Sequence, residues 1–300
     1  MNILALIFPF GSGICDAWNR KIAKDNPAVT KLMLVSFGML SAVPYFLGWL
    51  YLTGVKQMDP GVWVVIFVHG IIIVALNWLL FEAHRLGEMT ALGSYFSLTP
   101  AFSIPVSWVM GFNSGNIRGL VGVFVLVAGL YMLNMTDDSV GFLAPLRAAI
   151  KDKASRCMLY ASALAAVTAN LNKLGLEKAH SSAQYLSIMW LWAGVFAMAV
   201  AWWYSFHGPK EKREIFKVRG STNVFFKSGL AQGLGEIGLY LGIIMLNSVP
   251  YAIALKRSGL NFSTFVIGVA SGERKNLKWR LRGMLLMLAG MLLIVLFGTN

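Results

Sequence analysis

The sequence predicts an all-α integral membrane protein whose ten transmembrane helices form two inverted five-helix repeats. Three observations predict it: a composition too apolar for a soluble chain, ten apolar runs of span length, and a pattern that recurs once along the chain. Of the 300 residues, 57% are hydrophobic and only 13% are charged, where soluble chains carry about a quarter charged residues. A helix needs about 20 predominantly apolar residues to cross a bilayer core. Runs of this kind lie at 2–19, 32–54, 61–83, 89–110, 119–135, 156–173, 183–206, 222–246, 249–271 and 282–298, and they leave little chain for a soluble domain.

The first run reads as a retained helix. A cleaved signal peptide opens with basic residues and closes at small ones, whereas this segment contains Pro9, Gly11, Gly13 and Asp16, and its basic residues Arg20 and Lys21 follow it. Cys15 and Cys157 both fall in apolar runs and suggest neither a disulfide framework nor a metal knuckle. The net charge of +13 raises nucleic acid as a partner, but the placement of the charges argues against it. The odd-numbered connections hold 20 of the 26 Lys and Arg residues, and the even-numbered ones hold only Lys56, Arg118, Lys173 and Lys178. Lys256 and Arg257 lie inside a span. Such an asymmetry is what the positive-inside rule gives when odd connections are cytoplasmic. The expectation is therefore a multi-pass protein of the cell (plasma or inner) membrane with both termini outside.

The repeat is read from short matches in order. Gly122, Ala128 and Gly129 in the fifth run recur as Gly283, Ala289 and Gly290 in the tenth, at an offset of 161, which also carries Gly111 onto Gly272. Asn19-Arg20 recurs as Asn172-Lys173 at an offset of 153. The expected units are 1–135 and 156–300, joined by a cytoplasmic linker at 136–155. That linker interleaves apolar and basic residues and reads equally as an interfacial helix or a solvated connection. Five spans per repeat, an odd number, insert the two halves with opposite orientation, a common construction in secondary transporters.

Residues Ser97–Gly111 with Gly119, Gly122 and Ala128-Gly129, and the second copy from Ala254-Leu-Lys256-Arg257-Ser258 through Gly272-Glu273 to Gly283 and Ala289-Gly290, resemble the EamA-type repeat of the drug/metabolite transporter superfamily. In that family a Gly-Glu pair typically closes spans four and nine. Gly272-Glu273 keeps it and Gly111-Phe112 departs from it. The resemblance implies a ten-helix permease for small metabolites and does not select one.

Ionisable groups deep in a span are costly and mark candidate sites. Glu236 is the deepest carboxylate, and Gln232, Glu236 and Tyr240, four apart, share one helix face. Its readings are a substrate site, a coupling-proton site, or an ion pair bracing two helices. Lys256 and Arg257 point about 100° apart, so both are not expected to reach one point: one pairs with Glu236 while the other faces a cavity. The dyad reads as an anion-binding pair, a structural pair or snorkelling residues. It also resembles the Lys-Arg pair with which plastid sugar-phosphate translocators hold phosphate, a pattern shared with EamA permeases for other substrates. In the first half the deep polar residues are Asp16, Asn19, His69 and Asn77. Asp16 and Arg20, at i and i+4, are spaced to satisfy each other, and His69 reads as a structural histidine. Tyr95, Ser97 and Thr99 precede Pro100 and Pro105, which can kink the fourth span. Glu82, His84, Arg85 and Glu88 read as interfacial, and Trp202, Trp203 and Tyr204 as an aromatic belt.

No His-Glu-x-x-His, Gly-x-Ser-x-Gly, Cys/His cluster, acidic metal motif or P-loop is present. The sequence therefore points to a transporter working by alternating access, with a small-molecule substrate and the lipid bilayer as partners and no cofactor, metal or nucleic acid. A channel and a non-transporting receptor remain as rivals, and a membrane enzyme ranks below them. Substituted-cysteine labelling should place the 207–221 loop in the cytoplasm and Asn300 outside. Finding both on one side would contradict the three spans expected between them.

Overall fold

A computed structural model describes residues 3–26, 31–86, 95–96, 98–112, 116–133, 152–207, 222–270 and 277–297, and statements of absence below refer to these. The chain forms ten helices: α1 (Leu4–Asp25), α2 (Lys31–Thr53), α3 (Val62–Leu86), α4 (Thr99–Val109), α5 (Ile117–Leu133), α6 (Lys153–Ala179), α7 (Ser182–His207), α8 (Thr222–Leu246), α9 (Val249–Ala270) and α10 (Leu277–Phe297). Each of the ten expected spans contains one of these helices, the fourth over Thr99–Val109. The linker 136–151, the loop 208–221, Glu88 and the Gly272-Glu273 pair lie outside the described residues.

Several helices outrun the apolar runs that announce them. Arg20 and Lys21 belong to α1, and Lys173 lies well inside α6, where it is buried. Lys173 is therefore not a residue of the sixth connection, as the sequence suggests. Among the described residues, four stretches are apolar and long enough to cross a membrane on composition alone: Met33–Thr53, Val62–Leu80, Ser182–Tyr204 and Thr222–Leu246. Helices α1, α6 and α9 fall short of that standard because they carry Asp16 and Arg20, Asn170 to Lys173, and Lys256 to Asn261, the polar residues that build the interior. Large apolar side chains such as Tyr51, Val109, Trp203 and Leu285 are exposed and form the surface that lipid covers.

Short turns are made by residues that tolerate a left-handed backbone. His180 ends α6 at φ 52° and Asn247 joins α8 to α9 at φ 48°. At the other end of α6, the Asp152 carboxylate accepts from the Ser155 N–H at 2.8 Å and its hydroxyl at 2.7 Å, an N-cap. These bonds favour its charged form and hold its carboxyl below the ordinary value.

Helix partnerships repeat with the halves exchanged. Helix α5 packs on α10 and α2 on α7; α1 packs on α8 and α9 as α6 packs on α3 and α4; α2 packs on α8 as α7 packs on α3. Replacing each helix by its counterpart five places along maps this set onto itself, as two inverted repeats about a two-fold axis require. The glycines that reveal the repeat in the sequence make the α5–α10 contact. A Cβ on Gly290 would lie 2.6 Å from the Leu126 nitrogen and 2.8 Å from the Gly122 carbonyl; one on Gly129 would lie 2.6 Å from the Met287 nitrogen and 2.7 Å from the Gly283 carbonyl. Glycine is needed where two backbones approach this closely. Backbone atoms cannot rotate aside, so Gly290→Leu should cost at least ~1–3 kcal/mol. Thermal unfolding in detergent should show a fall in midpoint, whereas Gly48→Ala, where a Cβ meets nothing within 4 Å, should leave it unchanged or raise it.

Candidate functional site

Helices α1, α8 and α9 bring the deepest charges of both halves together. Lys256 Nζ lies 3.3 Å from Glu236 Oε1 and 3.3 Å from Asp16 Oδ2, and Arg257 Nη1 lies 3.6 Å from the same Asp16 oxygen. The sequence expectation that Lys256 and Arg257 would serve different points is thus corrected. Both converge on Asp16, because Asp16 sits between their two directions and long side chains reach inward from either. Asp16, expected to be satisfied by Arg20 of its own helix, interacts with Arg20 and makes its ion pairs with α9.

Glycines allow the approach. A Cβ on Gly13 would overlap the Lys256 carbonyl, and one on Gly259 the Phe10 carbonyl, so α1 and α9 cross backbone to backbone. On α8, a Cβ on Gly238 would meet the Phe8 carbonyl at 2.8 Å and one on Gly242 the Pro9 ring at 2.8 Å. The Arg257 guanidinium lies over the Phe96 ring with its carbon 3.7 Å from the centroid, and Arg20 approaches the same ring at 5.1 Å. Arg257 Nε and Nη1 are buried with no hydrogen-bond acceptor among the described residues. The centre therefore gathers two carboxylates and three cations, with donors of Arg257 left over.

The polar face of α8 runs in both directions from Glu236. Toward the end of the bundle that carries Arg20, Lys21, Lys153 and Lys227, here the basic end, Gln232 Nε2 donates to Ser228 Oγ at 2.9 Å, and the Ser228 hydroxyl donates to Asn19 Oδ1 at 2.8 Å. Toward the far end, the Tyr240 hydroxyl donates to Asn172 Oδ1 at 2.8 Å, and Tyr185, beside the Tyr240 ring, hydrogen-bonds His69 Nδ1 at 2.7 Å. Beyond them Lys173 Nζ donates to the Asn247 carbonyl and side chain at 3.3 and 3.2 Å and lies 4.9 Å from the Phe112 ring centre. His69, Asn172, Lys173, Tyr185 and Tyr240 are all buried, whereas Asp16, Asn19, Arg20 and Gln232 are only half-buried. The outward face of α1 is Leu4, Ile7, Ile14 and Trp18. Asp16 points about 160° from Trp18, so its exposure opens into the bundle. The polar run is thus half-buried toward the basic end and buried toward the far end.

Two sequence candidates are not brought to the centre. Asn77 donates to the Ile73 carbonyl of its own helix at 2.8 Å. Tyr95 is buried in an apolar cluster with Ala17, Ala83 and Met158 and hydrogen-bonds Ser155. Its neighbour Phe96, which sequence reasoning passed over, makes the contact with Arg257. Helices α4 and α6 meet through polar side chains, with Thr99 on Ser162 at 3.0 Å and the Ser107 hydroxyl donating to Asn170 Oδ1 at 2.6 Å. His84 and Arg85 lie on α3, and Glu82 carries a salt bridge to Lys153 at 3.4 Å.

A solved crystal structure superposes on this chain with a TM-score of 0.72 over 99% of this chain and 98% of its own, at 16% identity; that likeness is one of fold. No curated protein matches the chain in sequence. Residues 1–135 match the model of the EamA-like transporter family, the half in which the Gly-Glu signature is broken at Gly111-Phe112. Proteins of this family are transporters of small molecules rather than enzymes. The chain is therefore similar to the EamA-like transporter family over its first 135 residues, a little under half of its length, and shares a solved fold over nearly all of it.

Proposed function

We propose that this protein is a secondary transporter that carries a small organic anion by alternating access, with Asp16, Glu236, Lys256 and Arg257 as its substrate site. The supporting observation is the Arg257 guanidinium, buried with two nitrogens lacking acceptors in a centre of net charge +1. Leaving buried charged donors unmade costs more than a neutral hydrogen bond returns, and a carboxylate or phosphate is the group that Arg binds best. The half-buried polar run toward the basic end and the buried Tyr185–Tyr240–Lys173 layers at the far end support a reading as one access state. The basic end is then cytoplasmic and both termini lie outside, in the cell (plasma or inner) membrane. The repeats comprise 1–135 and 156–300 with 136–155 as linker. Glu236, which shares Lys256 with Asp16, is the candidate carrier of a coupling proton.

In proteoliposomes screened with carboxylates and phosphate esters, uptake should saturate and show counterflow; flux that does neither would make the protein a channel. Arg257→Lys keeps the charge and loses the planar fork, and uptake of the identified anion should fall roughly ten- to hundredfold with folded yield retained. Uptake unchanged in that variant would remove Arg257 from the site.

The ion pairs predict an order of stabilities. Lys256→Met strands Glu236 and leaves Asp16 with Arg257 alone, and should cost of order 3–5 kcal/mol. Glu236→Gln leaves Lys256 paired with Asp16 and should cost less. Thermal unfolding in detergent compares them, and a Glu236→Gln protein that folds normally and loses pH-driven uptake alone would assign the coupling proton to Glu236.

A further inference from the structure

Asp16 holds both site cations through one oxygen. Its Oδ2 is 3.3 Å from Lys256 Nζ and 3.6 Å from Arg257 Nη1, the second distance too long for a hydrogen bond. A single oxygen between two donors serves neither completely, and Arg257 is left with unmade donors. The side chains of Lys256 and Arg257 are 8% and 7% exposed, that of Glu236 14%, and that of Asp16 28%. Of the two carboxylates in the centre, Asp16 is therefore the one on the accessible side. Its backbone is fixed, because Gly13 is pressed against α9 at Lys256, Gly259 and Leu260, so it leaves its cations only by rotation of a short side chain. Asn19 and Gln232, on the same side, are half-buried as well.

We propose that Asp16 is an internal counter-anion: in the empty carrier its carboxylate occupies the place that an oxyanion of the substrate takes, and substrate binds by displacing it. This rests on the anionic reading of the site. A substrate carboxylate or phosphate brings two or three oxygens where Asp16 offers one, and so makes the Arg257 donors that Asp16 leaves unmade. Before substrate arrives, Asp16 and Glu236 neutralise two of the three cations, so the empty centre does not present Lys256 and Arg257 as a bare pair of charges. The cost falls on affinity. A site filled from within binds its ligand more weakly by the fraction of time that it is free, and an intramolecular competitor acts at a high effective concentration.

The sign of one substitution separates this role from a structural one. Binding of inorganic phosphate and of acetate to the purified full-length protein, followed by calorimetry, should be at least tenfold tighter in Asp16→Asn than in the unmodified chain. Adding Arg257→Gln to that variant should abolish the gain. Equal or weaker binding in Asp16→Asn, with binding to the unmodified chain still dependent on Arg257, would overturn the counter-anion and leave the anion site standing. Absence of binding in every variant would overturn both. Where Asp16→Asn does not accumulate as a folded protein, purification in phosphate should restore it, since the added anion takes the vacated place. Failure of phosphate to do so would also overturn the proposal. Asp16→Glu keeps the charge and should show no gain in affinity, and a gain there equal to that of Asp16→Asn would count against competition by charge.

Discussion

A lysine and an arginine on consecutive residues of a membrane helix cannot be buried unless carboxylates are brought to them from other helices. The effective penalty for an unpaired buried ion is several kcal/mol even after relaxation, comparable to the whole margin by which a folded chain is stable. Much of the packing near the centre serves that requirement. Helix α1 has to supply Asp16 and α8 has to supply Glu236, so both must come close to α9 and to each other. Gly13 and Gly259 admit the first approach, and Gly238 and Gly242 the second. What the constraint does not remove is the excess. Arg20 and Arg257 share the face of a single ring, Phe96, and the centre retains one positive charge more than its own carboxylates balance.

The two halves share a scaffold and differ in chemistry. At the offset of 161 that relates their glycines, Lys256 and Arg257 correspond to Tyr95 and Phe96. The second half places cations where the first places rings, and Phe96 meets Arg257 across the two-fold relation. Asn19 and Asn172 correspond as well, yet Asn19 joins the half-buried polar run through Ser228 and Asn172 joins the buried layer through Tyr240. Similar helices thus carry a half-buried polar run at one end and a buried one at the other.

The fold was legible because its signals are long and cumulative: ten apolar runs, a charge asymmetry, and glycines at a fixed offset. Part of the site was legible for a related reason. Gln232, Glu236 and Tyr240 lie on one face by helical spacing alone, and the depth of Glu236 set it apart from interfacial carboxylates. Pairing was not legible. Asp16 had a partner in its own helix, Arg20, at a standard spacing, and only three dimensions show that α9 is nearer. Arg20 and Lys173 looked like the first residues of loops because a cation after an apolar run usually marks the membrane edge; both continue their helices. Phe96 carried no signal among nineteen phenylalanines. The Thr99–Ser162 and Ser107–Asn170 pairs were invisible because single hydroxyls and amides scarcely alter the hydropathy of a span.

The backbone crossing of α1 and α9 has its counterpart, under exchange of the halves, in the contact of α6 with α4, and the two are mechanically unlike. Where Gly13 and Gly259 interlock, the carbonyl of each helix fills the notch of the other, and neither can slide lengthwise without driving a side chain into a backbone. The pair behaves as a weld. Where α4 meets α6, hydroxyls and amides recur one helical turn apart at Thr99, Ser103 and Ser107 against Ser162 and Asn170. The two hydrogen-bonded pairs there are two turns apart, and between them Ser103 donates to the Pro100 carbonyl of its own helix. One contact is interlocked backbone and the other is joined by side chains, and the charged centre sits beside the stiffer of the two.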